Sequence, residues 1–148
     1  MPEKETLERA RQDAREGKAP STQAGEFVRE EIEHIREGKH GARNPKQAIA
    51  IGLSKARRAG VDLPPPKKGK ASEEVRTKAE RDYQRGHSTA TRKKSATRSR
   101  ATKAALKREG SQSASHSALS RQARSSAKKR GAANRRSAAR KAARTRAR

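Results

Sequence analysis

The uneven distribution of charge constrains this chain more than any other feature. From Gly110 onward there are 12 Lys or Arg and no carboxylate, in a background of Ala and Ser. Residues 67–148 carry 27 basic and 5 acidic side chains, whereas residues 1–66 carry 13 and 11. A segment with one sign of charge and few apolar groups cannot offset its conformational entropy by burial. Any core must come from the first half, where apolar side chains are also scarce. Only 28% of the 148 residues are hydrophobic, with one Phe, one Tyr and no Trp, against roughly 45–50% apolar in ordinary globular domains. One large core is excluded. The expected fold class is all-α: a short helical hairpin, weak flanking helices and a long disordered basic C-terminal tail.

There is no Cys, which removes disulfides, thiolate metal sites and thiol nucleophiles. Residues 1–17 mix both signs of charge without an apolar run, so neither a signal peptide nor a membrane span is expected there, and the expected location is cytoplasmic.

The punctuation of the sequence divides the chain. Pro64, Pro65 and Pro66 stop any helix and favour an extended spacer, and Lys67, Lys68 and Lys70 then open the basic half. Before the prolines, a helix is expected from Ser21 as N-cap to Gly38. Its apolar face carries Ala24, Phe27, Val28, Glu31, Ile32 and Ile35, while Arg29, Glu30, Glu33, Arg36 and Glu37 lie outside it. Glu31, the one charge on that face, calls for a cation from the facing helix. A second helix is marked by Asn44 as N-cap, Pro45 at its first position, Gln47 three after the cap and Gly60 as its stop. Ala48, Gly52 and Ala56 recur every fourth position and form a groove that permits close approach. The connection 38–43 has a length suited to antiparallel neighbours, and Val61 and Leu63 are expected to fold back as a lid. The domain organisation is thus a weak N-terminal helix in 1–20, a hairpin module in 21–63, a Pro/Lys linker in 64–72, a short charged helix in 73–86 after Ser72, and the tail in 87–148. The two flanking helices, with the stripes Leu7, Ala10, Ala14 and Val75, Ala79, Tyr83, are expected to be solvated rather than docked. Ile51 falls beyond the core face and is the residue through which a homodimer or a protein partner would engage the hairpin.

A polycation of this composition has a polyanion as its generic partner, and the phosphate backbone of nucleic acid is the commonest in a cell. The expected contacts come from Lys93, Lys94, Arg98, Arg100, Lys103, Lys107, Arg108, Arg121, Arg124, Lys128, Lys129, Arg130, Arg135, Arg136, Arg140, Lys141, Arg144, Arg146 and Arg148. Arg136, Arg140, Arg144 and Arg148 recur every fourth residue, so a helix would align them. Like charges at that spacing repel by about 0.2–0.5 kcal/mol per pair, and the tail is therefore expected to be disordered alone and partly helical on DNA. No aromatic residue follows Tyr83, which leaves no stacking platform for single strands. As a flexible chain the tail would span about 45 Å and bridge neighbouring duplexes.

Lys39, His40, Arg43 and Lys46 gather around the start of the second helix, where free N–H groups favour an anion. They form a candidate phosphate-binding loop, whose alternative is an ordinary exposed connection. His34 and His40 are six residues apart on a helix and a loop, and His87 and His116 stand alone, so no metal-ligand cluster, metal or cofactor is expected. No nucleophile accompanies the carboxylates, and no enzymatic activity is expected.

The run from Ser21 to Arg43 (STQAGEFVREEIEHIREGKHGAR), followed by Lys46-Gln-Ala-Ile-Ala-Ile-Gly-Leu-Ser-Lys-Ala-Arg-Arg-Ala-Gly60, resembles a family of small basic bacterial proteins classed as a domain of unknown function. Some members are labelled plasmid stabilisation proteins. The resemblance implies a bacterial source and a role in DNA maintenance, and supplies no catalytic residues. By composition alone, the Ala/Lys/Arg/Ser tail is similar to histone-like tails of bacteria and to the linker-histone C-terminus. The resulting expectation is a non-enzymatic nucleoid-associated or plasmid-maintenance protein that binds and compacts duplex DNA without strong sequence preference. The alternatives are an RNA- or ribosome-associated basic protein and a protein adaptor acting through the hairpin.

Overall fold

A computed structural model describes residues 1–91 and 93–147. Six α-helices and one short 3-10 turn account for the regular structure: α1 (Lys4–Arg15), α2 (Pro20–Arg36), α3 (Pro45–Arg58), α4 (Glu73–His87), α5 (Ala96–Arg108), the turn Gln112–Ala114, and α6 (His116–Arg146). Among the described residues there is no strand, and no helix is long and apolar enough to cross a membrane.

The hairpin forms as its punctuation requires. Asn44 accepts from the Gln47 N–H at 2.9 Å, and the Gln47 side chain reaches back to the Arg43 N–H at 2.7 Å, with Pro45 in the first turn. Gly38 ends α2 at φ 73° and Gly60 ends α3 at φ 91°, a left-handed conformation that only Gly adopts without cost. In each case the next amide bonds back across the last turn, Lys39 N to His34 O at 3.0 Å and Val61 N to Ala56 O at 3.1 Å. The start of α2 differs by two residues from the sequence expectation. Ala19 is the N-cap and Pro20 occupies the first turn, because a fixed φ already suits a helix start; Ser21 is inside the helix and exposed.

α2 and α3 pack antiparallel. One cluster joins Ala24 and Phe27 to Ala56, Val61 and Ala10, with Leu7, Leu53 and Leu63 around them; a second joins Ile35 to Ala42, Ala48 and Ala114, with Ile32 alongside. The lid of Val61 and Leu63 thus closes on the first cluster. The groove at Gly52 brings the backbones into contact: a Cβ there would lie 2.6 Å from Val28 Cα. Ile51 is partly buried rather than exposed.

The flanking helices dock, contrary to expectation. α1 places Leu7 and Ala10 in the first cluster, and its Arg9 bonds Glu26 of α2 at 2.5 Å. α4 lies on α3 through Ala79, with Ser54 donating to Asp82 at 2.5 Å and Tyr83 to Asp62 at 2.7 Å. Small residues permit the contact, since a Cβ on Gly86 would run into the Arg57 carbonyl. Val75, expected on the same stripe, stays 49% exposed.

A disordered tail over residues 87–148 is not what the structure shows, because α5 and α6 are helices. Ala and Arg are among the best helix formers, and Ser95 and Ser115 cap the two starts by accepting from Arg98 N and Ala118 N. Repulsion of a few tenths of a kcal/mol per Arg pair does not outweigh that propensity. The tail is also anchored. Gly41 N donates to Leu106 O at 2.9 Å, Ala42 N to Gly110 O at 3.2 Å, and Arg36 Nε to Ala114 O at 2.9 Å, while Ala114 is fully buried in the second cluster.

Candidate nucleic-acid interface

The cations of α6 are exposed. It has no buried residue, and 11 Lys or Arg and no carboxylate fall within His116–Arg146. The four-residue spacing of Arg136, Arg140 and Arg144 becomes real geometry: with Ala133, Ser137 and Lys141 they line one groove. Gly131 breaks the helix at φ 75°. Arg124, Lys128 and Arg135 line the concavity at that break, where Arg135 donates to the Ala127 carbonyl at 2.7 Å. On α5, Arg98, Arg100, Lys103, Lys107 and Arg108 are exposed, as are Lys93 and Lys94 before it and Arg121, Lys129, Arg130 and Arg146 on α6. Arg148 lies outside the described residues. Among the described residues, no ion pair involves α5 or α6. These cations face water.

The cations of the candidate phosphate loop are differently placed. Lys39 stands 2.9 Å from Glu37 and 3.4 Å from Glu3, His40 is 3.0 Å from Glu31, and Arg43 is 3.7 Å from Glu109. Only Lys46 of the four is exposed without such a pairing among the described residues. The Asn44 side chain occupies the Gln47 N–H that an anion would use. The segment after α5 covers the loop, and a Cβ on Gly41 would collide with the Glu109 carbonyl.

Beneath that loop lies a buried charged cluster, part of which the helical wheel foretells. Glu31, 1% exposed, meets its cation from the facing helix: Lys55 Nζ stands 2.7 Å from Oε2. The contact is an ion pair set off the axis of a good hydrogen bond, since Oε2 has no hydrogen-bond donor. Glu30 is buried as well, at 2% exposure, although the wheel puts it in solvent. α1 crosses that face, so Glu30 accepts from the Glu3 backbone N–H at 3.1 Å and from Lys55 at 3.2 Å. Burial pushes the Glu30 carboxyl up, but the Glu3 N–H, the Thr6 hydroxyl and Lys55 together outweigh it and hold the group below the usual carboxylate value. His34, through its bond at 2.9 Å, is the main reason that the Glu3 carboxyl also lies low. Two histidines, one on α2 and one in the loop after it, therefore share a neighbourhood, their rings edge to face with centroids 6.3 Å apart. The expectation that His34 and His40 form no cluster is corrected here: the turn at Gly38 reverses the chain and returns His40 over α2.

Residues 5–68 match the model of a family of unknown function (DUF6496). The match takes in nearly all of α1, the hairpin and the prolines, and stops before α4, so the basic helices lie outside it. No curated protein and no solved structure matches the chain.

Proposed function

We propose that the chain is a non-enzymatic, nucleoid-associated or plasmid-maintenance protein that binds and compacts duplex DNA, with α5 and α6 as the interface and with little sequence preference. The observation that carries this reading is α6, a helix with a single sign of charge, no buried face and no internal counterion. An α-helix about 10–12 Å across fits a major groove about 12 Å wide. Arg side chains every fourth residue rise about 6 Å per step, close to every second phosphate along one strand. The bend at Gly131 lets the two arms of α6 follow a curved backbone, and the anchored segment 106–114 fixes their origin on the hairpin. With no aromatic residue after Tyr83, binding is directed to phosphates, which position without specifying.

A salt titration of binding to duplex DNA tests this reading. The full chain should show a steep slope of log K against log salt. The triple variant Arg136→Gln, Arg140→Gln, Arg144→Gln should show a slope shallower by up to about 2.7, because each phosphate left unneutralised removes about 0.9. An unchanged slope, or tighter binding of structured RNA than of duplex DNA at matched salt, overturns the reading.

A further inference from the structure

We propose that Glu31, His34 and His40 bind a divalent transition-metal cation of the Zn2+ class. Glu31 and His34 are three residues apart on α2 and so share one face. His40 arrives from the loop, and one ligand atom from each of the three lies within 4.8 Å of the others. A tetrahedral site with bonds of about 2.0–2.1 Å needs ligand atoms about 3.4 Å apart, so a shift of up to about 1.4 Å would close it. Two imidazoles with one carboxylate suit Zn2+ rather than Mg2+ or Ca2+, which take oxygen ligands.

A second observation is independent of proximity. His40 Nδ1 lies 3.0 Å from the Gly41 carbonyl, which can only accept, so Nδ1 carries the proton. The other ring nitrogen, Nε2, faces Glu31 Oε1 3.0 Å away. That spacing is bridged by one cation shared between nitrogen and carboxylate oxygen, a proton or a metal. A ring N–H donated to a backbone carbonyl is also how metal-binding histidines are held in orientation. The site is sheltered, with side chains 1% exposed at Glu31, 14% at His34 and 18% at His40. Lys55 takes the other oxygen of Glu31, which leaves Oε1 for the metal. Lys55 and Lys39 oppose added positive charge, so the affinity should fall below that of an all-thiolate site.

The test is a Co2+ titration of the full chain without DNA, read by visible d–d absorption, followed by displacement with Zn2+. It is therefore independent of the DNA-binding proposal. One Co2+ per chain with tetrahedral bands is expected, weakened at least about tenfold in His34→Gln and in His40→Gln and unchanged in His87→Gln. Circular dichroism of the variants checks that helicity is kept. Absence of the bands in the unmodified chain overturns the proposal whatever the variants do, as does their persistence in both His34→Gln and His40→Gln.

Discussion

Replacing Lys55 with Met asks how strongly one ammonium holds a buried pair of carboxylates. Glu30 and Glu31 are 2% and 1% exposed, and Lys55 Nζ lies 3.2 Å from Glu30 Oε1 and 2.7 Å from Glu31 Oε2. Met keeps the apolar stem and removes the charge, leaving two anions without their shared cation. Removing one partner of a buried pair costs about 3–5 kcal/mol. The Lys55 side chain keeps 18% of its surface, and Glu30 keeps its bonds from the Glu3 N–H and Thr6, so the lower end applies. The expected loss is about 3 kcal/mol, roughly a hundredfold in the folding equilibrium. It should shrink in acid. Because the folded Glu30 carboxyl sits below its ordinary value, its contribution is fully present above the unfolded pKa of about 4.3 and is lost as pH falls through the lower folded value. Urea unfolding followed by circular dichroism, at neutral pH and at about pH 3, measures both. A loss under about 1 kcal/mol at neutral pH, the worth of an exposed pair, or a loss that does not shrink in acid, would refute the reasoning.

Other substitutions test the packing. Gly52→Ala should destabilise by about 1–3 kcal/mol in denaturant unfolding, because its Cβ would fall 2.6 Å from Val28 Cα and backbone cannot move aside. Gly25→Ala, on the open side of α2 where a Cβ meets nothing within 4 Å, should instead stabilise by about 0.5–1 kcal/mol in the same assay. Ala114→Asp buries a carboxylate among Ile35, Ala42 and Ala48, and should release the segment 106–114. Hydrogen exchange at the Gly41 and Ala42 amides, which bond to Leu106 and Gly110, should then accelerate at least about tenfold while α1 keeps its protection.

The hairpin is legible in the sequence because its signals are local. Asn44, Pro45 and Gln47 fix a helix start, and Gly38 and Gly60 fix two ends, through bonds within a few residues. Glu31 on an apolar face points to its partner for a similar reason: a buried charge demands a counterion, and Lys55 is on the facing helix. Glu30 carries no such signal, because what buries it is the crossing of α1, a contact 27 residues away in sequence. The docking of α1 and α4 is hidden in stripes of Ala and Gly, which look too small to pack yet permit the closest approach, as at Gly86 against the Arg57 carbonyl. Charge weighed against burial alone points to a disordered tail, whereas Ala-rich sequence and Ser caps favour helix without any core. The meeting of His34 and His40 depends on the path of the loop, which spacing along the chain does not encode.

Charge partition is what links the two halves. In residues 1–66 the near balance of 13 basic and 11 acidic groups is used in part internally: Arg9 pairs with Glu5 and Glu26, Lys18 with Asp13, Lys55 with Glu30 and Glu31, Lys39 with Glu37. A helical module with so few large apolar groups gains cohesion from these pairs. The helices α5 and α6 have the opposite arrangement, with cations that meet no carboxylate among the described residues. Under the proposed function, counterion release on binding phosphate comes mainly from them. Because Arg36, Gly41 and Ala42 grip the segment between α5 and α6, that charge is attached to the hairpin by hydrogen bonds and a buried Ala, and the hairpin sets where the polycation begins.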